Sequence, residues 1–274
     1  MQEVKLSIIT ISRGSYSKGK EIAEKVAAKL GYECISRDII LAASERFNIP
    51  EIKLIRAIHD SPSILERFSR KKTRYINYVQ TALLKHFRKD NIVYHGLAGH
   101  FFVKLIPHVL KIRIIADTEQ RIQLEMRREN ISYDKAKEIL KKDDEERRKW
   151  SQDLYGIDTC DPCLYDLVIH IRKIRVDDAV DIICHTVKQE HFQTTPESQK
   201  AIEDLTVASE VKMVLFDDGV DAEVTANDGV VEVKLDAPIA QEQLLNKKIT
   251  KTVSKIKGVK TVHAHVVPTQ AYAG

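Results

Sequence analysis

Between residues 11 and 22 the chain reads ISRGSYSKGKEI, and two glycines there bracket four residues ahead of a lysine. Gly14-Ser15-Tyr16-Ser17-Lys18-Gly19-Lys20 has the spacing of a loop that cradles phosphates. The residue types suit that chemistry. Glycines let backbone N–H groups approach phosphate oxygens, a helix N-terminus behind them adds partial positive charge, and the lysine reaches the transferred phosphate. The pattern next asks for Ser or Thr, whose hydroxyl binds Mg²⁺, and the chain supplies Glu21 instead. A carboxylate can reach Mg²⁺ through water but also repels a triphosphate, so Glu21 implies a retained site with altered metal handling. The plain alternative is an ordinary strand-to-helix turn carrying a surface lysine.

Other residues carry weaker chemical signals. Cys160-Asp161-Pro162-Cys163 has CxxC spacing. A zinc site wants a second pair or two histidines, and a redox motif wants a thioredoxin-like setting. His170 and His185 follow without a recognisable ligand spacing, so incidental loop thiols fit best. The run DEERRK at 144–149 reads, on residue types alone, as a solvated helix face with salt-bridge pairs. Arg127 and Arg128 end a predicted helix, where the dipole favours cations; contact with a nucleotide is the other reading, and both stay open. Asp38 suits the cap of a following helix.

These groups need a scaffold, and the chain is long enough to supply one. At 274 residues, 43% apolar and 31% charged, it has the composition of a folded globular protein of one or two domains. The net charge of +4 is uneven: from Glu197 onward there are 9 lysines, no arginine and 12 acidic residues, giving −3, against +7 before it. Confinement of every arginine to the first part suits phosphate, whose oxygens match the guanidinium fork, although a mixed-charge surface explains the balance equally well. A pI of 8.7 is below that of a dedicated nucleic-acid binder. No basic-then-apolar leader or apolar run of about 18 residues stands out. The expected location is therefore the cytoplasm, with Cys34, Cys160, Cys163 and Cys184 reduced.

Residues 4–11 (VKLSIITI) predict a buried strand, and apolar Ile22, Val26, Ala27 and Leu30 predict a helix over 18–30 that stops at Gly31. A short strand at 33–35, helices at 37–47, 51–58 and 63–89, and strands at 91–95 and 109–116 follow. Helices at 118–129 and 133–152, with Asp117 and Ser132 as plausible caps, precede a strand at 167–171 and a helix at 176–188. Strands separated by helices, without hairpins, predict an α/β fold with a parallel sheet flanked by helices. After a polar linker at 191–196 the character changes. A helix over 197–210, strands at 220–224 and 230–235 joined through Asn227-Asp228-Gly229, a helix at 240–256 and a strand at 261–267 predict a small α+β domain. The expected division is thus 1–190, a linker at 191–196, and 197–274.

The first part resembles the cytidylate kinase-like group of P-loop nucleoside monophosphate kinases. The residues that carry this are Ile11-Ser12-Arg13, Gly19-Lys20-Glu21-Ile22, Lys29-Leu30-Gly31, Arg37-Asp38-Ile39-Ile40 and the strand leading to Gly96. Arg121-Ile122, Met126 to Glu129, 143–149, Asp161-Pro162 and Tyr165 to Ile169 extend it across about 4–188. The Glu after the loop's basic residue is family-like. The resemblance implies a P-loop kinase fold and phosphoryl transfer from ATP, with Mg²⁺, to a nucleoside monophosphate, CMP-like by preference. Gly14, Ser15, Tyr16, Ser17, Lys18, Gly19, Lys20 and Glu21 would bind the nucleotide. Lys20, Arg128, Arg147 and Arg148 would be catalytic, the last two on a mobile lid closing over the transferring group. Arg37, Asp38 and His100 would bind the acceptor, and 170–175 would wrap the ATP base. One departure stands out. Relatives carry Gly-Arg after the second strong strand, whereas this chain has Gly96-Leu97-Ala98-Gly99-His100, leaving His95 and His100 to flank the gap.

The last part resembles a BON-like domain in its α-β-β-α-β order, its Asp228-Gly229-Val230-Val231 hairpin and Lys257-Gly258-Val259-Lys260-Thr261-Val262. Its net negative charge suits a protein or small-ligand partner better than anionic lipid; no nucleic acid is expected. A non-catalytic ATP-binding regulator that signals through this domain is the alternative to the kinase.

Overall fold

The strand that leads into the glycine-bounded loop is the centre of the main sheet. The computed structural model describes residues 7–14, 17–36, 69–96 and 99–268, so the helices expected at 37–47 and 51–58 lie outside the described residues. β1 (Ile8–Arg13) pairs in parallel with β3 (Ile92–His95) on one side and β4 (Val109–Ala116) on the other. β2 (Glu33–Ile35) and β5 (Leu167–Ile171) flank these, giving the order β2-β3-β1-β4-β5, parallel throughout. The first strand was expected at 4–11. Its ladder with β4 instead runs on to Arg13↔Ile114, so pairing, not the β-branched run, sets its end.

Side chains alternate across a strand, so each face of this sheet has its own character. Ile9, Ile11, Val93, Ile112 and Ile114 pack with Ile22 and Val26 of α1 (Gly19–Leu30) and with Ala179 and Ile183 of α6 (Val176–Thr186). Lys25–Asp177 and Lys29–Asp181 ion pairs tie the two helices at their exposed rims. Thr10, Ser12, Lys111 and Arg113 occupy the opposite face, where Thr10 pairs in register with Lys111 and Ser12 with Arg113. Between β3 and β4 lies a single helical turn, α3 (Gly99–Phe102). After β4, α4 (Thr118–Glu129) and α5 (Tyr133–Tyr155) share the small core of Ile122, Ala136 and Leu140. Ser132 caps α5 by accepting from the N–H of Lys135. Asp117, expected to cap α4, makes no such bond; its carboxylate is held by His170 Nε2 (2.8 Å) and Arg172 Nε (3.0 Å) across the ends of β4 and β5.

The chain forms two compact units, 1–72 with 89–195, and 73–88 with 196–274. The second is built on α7 (Pro196–Asp217) and the sheet β6 (Glu223–Asn227), β7 (Val230–Ala237), β8 (Thr261–Pro268). β6 and β7 form an antiparallel hairpin, and β8 returns parallel to β7 after α8 (Glu242–Val253). Asp228 and Gly229 both take left-handed dihedrals (φ 50 and 77), as a two-residue hairpin with the matching twist requires. The first hairpin strand starts at 223 and not at 220, because Val220 and Ala222 are buried in the connection from α7.

α7 runs to 217, seven residues past the expected end, because its apolar surface continues on two sides. Val207, Val211 and Leu215 face Val231, Val233 and Leu235 of the sheet. Its other side lies antiparallel to α2 (Ser69–Phe87), with Thr81–Ser209 (2.7 Å between hydroxyls), Lys85–Glu210 and Arg74–Asp217 in step. α2 therefore joins the second unit from residue 73, though it lies within the first unit's span of sequence.

Candidate nucleotide site

At the C-terminal end of β1 the chain turns through the loop and enters α1 at Gly19. Lys18, the residue before the helix, is left-handed (φ 65), a conformation that costs a non-glycine residue about 1–2 kcal/mol. Gly19 has a packing role: a Cβ there would lie 2.6 Å from Cβ of Arg13. Ser17 donates to the carbonyl of Gly14 (3.0 Å), closing the loop on itself. Ser15 and Tyr16 lie outside the described residues. Lys20 is largely exposed, its ammonium 3.7 Å from Glu24 one turn on. Glu21 is held between Lys18 and Lys25, each at 3.5 Å.

A cavity of ≈ 340 Å³ opens beside this helix start, walled by Lys18, Glu21, Lys25, Ala116, Ile174 and Arg175. Arg172 and Arg175 reach it from the segment after β5, the stretch expected to wrap a base. Asp117, by holding His170 and Arg172, fixes the root of that segment. Cations thus ring a partly apolar hollow next to a phosphate-type loop.

On the far side of the loop stands Arg121, one turn into α4. Its guanidinium carbon would be 3.9 Å from a Cβ placed on Gly14, and NH2 bonds Asp144 of α5 at 2.8 Å. α5 runs back along α4, which brings Arg147 and Arg148 one turn beyond Asp144, toward the strand ends. Arg148 grips Asp158 with Nε (3.1 Å) and NH2, and the N–H of Cys160 and Arg148 together hold the Asp158 carboxyl below its ordinary range. Arg128 pairs with Glu129 at the other end of α4, about 10 Å along the axis from Arg121.

The opposite side of β1 carries the groups near the departure at 96–100. A Cβ on Gly96 would meet the Tyr94 hydroxyl at 2.6 Å, and one on Gly99 its ring at 2.4 Å. These glycines therefore answer to an aromatic ring. Arg37, Asp38 and Leu97 lie outside the described residues. His100 is almost wholly buried, its ring 4.9 Å from that of Tyr165. Burial first, then the charges of Arg113 and Lys111, lower its pKa to about 3. The ring is therefore neutral at physiological pH and offers a hydrogen bond, not a charge. Cys160 and Cys163 flank a tight turn whose cap is Asp161, and among the described residues no three acidic, histidine or cysteine side chains gather as a metal site.

Sequence reasoning missed Arg113, Arg121 and Asp117 as site residues. Arg121 stood inside a quoted motif; Arg113 is hidden in a strand pattern, where alternation alone marks it as facing away from the core.

A family model described as the cytidylate kinase-like family matches residues 8–173. The chain belongs to that family. A cytidylate kinase of Sulfolobus acidocaldarius is 26% identical over 189 residues, covering 68% of this chain and 97% of that protein. A cytidylate kinase of Methanosarcina acetivorans is 37% identical over 101 residues, 36% of this chain and 54% of that protein. Among solved structures, an uncharacterized protein from Eubacterium ventriosum aligns over 67% of this chain and 99% of its own, with 21% identity and a TM-score of 0.49.

Proposed function

We propose that this protein is an ATP-dependent nucleoside monophosphate kinase with a CMP-like acceptor. The observation that carries the reading is the meeting, at one end of the sheet, of the loop, the cavity beside it and the cations of α4 and α5. Phosphoryl transfer needs positioning and charge neutralisation more than covalent chemistry, and these groups supply both. The loop, including Ser15 and Tyr16, would cradle the donor phosphates while Lys20 leaves Glu24 to hold the transferred group. The base would enter the cavity under Arg172 and Arg175. Arg121, Arg147 and Arg148 would neutralise developing charge, with Arg128 a further candidate reached through lid movement. Arg37 and Asp38 are proposed for the acceptor, with neutral His100 as a hydrogen-bonding wall.

Mg²⁺ fits this site as a companion of the nucleotide. The donors near the loop are few, Ser17 and Glu21, and that ion typically keeps its waters and the substrate's phosphates with one or two protein groups. It would supply charge neutralisation between the phosphates. The four free cysteines suit a reducing cytoplasm, and no helix among the described residues is long and apolar enough to cross a membrane. The organisation 1–190, 191–196 and 197–274 is proposed as a kinase part and a BON-like accessory part serving a protein or small-ligand partner, with α2 shared structurally by the latter.

A coupled ADP-release assay across CMP, dCMP, UMP, AMP and GMP tests the activity. We expect turnover, fastest with a cytidine nucleotide, and loss of ATP affinity in Lys20→Ala. No turnover with any acceptor, beside ATP binding that Lys20→Ala abolishes, would leave the regulator in its place. Unchanged ATP affinity in Lys20→Ala would remove the nucleotide site itself.

A further inference from the structure

The sheet face turned away from α1 and α6 carries two cations with no acidic side-chain partner among the described residues. Lys111 and Arg113 alternate with core residues on β4, both are partly buried, and among the described residues neither side chain has a carboxylate within ion-pair distance. Arg113 donates through NH1 to the carbonyl of Thr159 and to Tyr165 Oη (3.2 Å), and through NH2 to Cys160 Sγ (3.8 Å). A guanidinium has five N–H donors, so two remain. Its carbon lies 5.6 Å from the centre of the Tyr165 ring, and Tyr165 Oη reaches Ser12 Oγ (3.4 Å), two residues before the loop begins. His100 Nε2 and Thr10 Oγ1, both more than nine-tenths buried, have no hydrogen-bond partner among the described residues. Partly buried charge left unpaired, with unpaired polar atoms around it, is costly unless a ligand completes the set.

We propose that Arg113, with Lys111 beside it and His100 facing it, receives the phosphate of the acceptor nucleotide. This rests on the kinase reading. The acceptor is favoured over the donor by the two faces of the sheet. The cavity for the donor base opens against α1 and α6, on the side where Ile112 and Ile114 point. Arg113 points the other way, and two nucleotides that exchange a phosphoryl group must approach the loop from different sides. Arg113 is fixed by Thr159 and Tyr165, so its remaining donors are oriented before the ligand arrives. Neutral His100 adds a hydrogen bond without a competing charge.

The test compares wild type, Arg113→Lys and Arg113→Met, with melting temperature measured for each. The probe is the monophosphate that turns over fastest, or CMP where none does, together with its nucleoside, which lacks the phosphate. By calorimetry we expect Arg113→Met to weaken monophosphate binding about 10–100-fold, Arg113→Lys less, and nucleoside and ATP affinity to change by under about twofold. In rates, acceptor KM should rise in the same order while ATP KM stays. Equal losses for nucleoside and monophosphate, or parallel loss of ATP, would reduce Arg113 to a structural tie and overturn the proposal. So would unchanged monophosphate affinity in a folded Arg113→Met, or wild type that binds no monophosphate. Binding without turnover would sink the kinase reading alone, and the ratio of monophosphate to nucleoside affinity would still judge Arg113.

Discussion

Lys18 holds a left-handed backbone where a glycine would rest without strain, and among the described residues its ion pair is an exposed contact with Glu21. Lys18→Gly should therefore stabilise the fold by about 1 kcal/mol, since the strain removed outweighs a surface pair. A melting temperature lower than wild type would contradict this. Arg121 leads to the second expectation. Beside Gly14 and fixed by Asp144, it is placed as a preorganised cation, so Arg121→Ala should lower kcat about 10²-fold or more with little change in melting temperature. Arg128→Ala, at the far end of the same helix, should cost much less; the reverse order would favour Arg128 over Arg121 as the catalytic cation. At this scale the sequence was legible where spacing is local, as in the strand before Gly14 and the helix that starts at Gly19. It was opaque where partners are distant: Asp117 does stand at the N-cap position of α4, as its local reading had it, but nothing near it announces that its carboxylate goes to His170 and Arg172 instead of the helix N–H groups.

Among the elements, α5 presents Arg147 and Arg148, and the segment after it is pinned at two adjacent residues. Arg148 grips Asp158, whose carboxylate also receives the N–H of Cys160, while Arg113 holds Thr159 to β4. The aromatic rings of Phe101 and Phe102 against Tyr155 hold the end of the helix itself. If Arg148 must leave Asp158 to meet phosphate, Asp158→Asn should lower the KM for ATP about threefold by weakening the competing ion pair. A raised KM would show instead that Asp158 aims Arg148. Strands and helices with strong periodicity, such as 109–116 and 118–129, were legible to the residue. α7 was not, because a helix buried on two sides loses the one-faced pattern from which its length is read.

For the molecule as a whole, the buried groups His100, His108 and Asp90 bear on the response to acid. Burial lowers His108 to about 4, and burial with Arg113 and Lys111 lowers His100 to about 3, from an ordinary 6.5. A depressed folded value means stability present above about 6.5 and lost as pH falls toward the folded value. Asp90 runs the other way: burial raises it to about 6 from 3.8, so its stabilisation is present at low pH and lost as pH rises through 6. His108 Nε2 lies 3.5 Å from Asp90 Oδ1, so those two titrate as a pair with opposing trends, and it is from His100 that the melting temperature should fall between pH 6.5 and 4.5. A flat profile would mean that ring is not dry in solution.

The pairing of α2 with α7 bears on how the chain is made. Thr81 and Ser209 are 128 residues apart, so at about 5–20 residues per second α2 leaves the ribosome some 6–25 s before its partner exists. Through that interval Arg74, Thr81 and Lys85 lack their native partners, while β3, β4 and β5 emerge. A chain released at residue 195 would keep α2 permanently in that condition. Nascent chains of that length should bind holdase chaperones more strongly than full-length ones, which marks the second unit as a late requirement of synthesis.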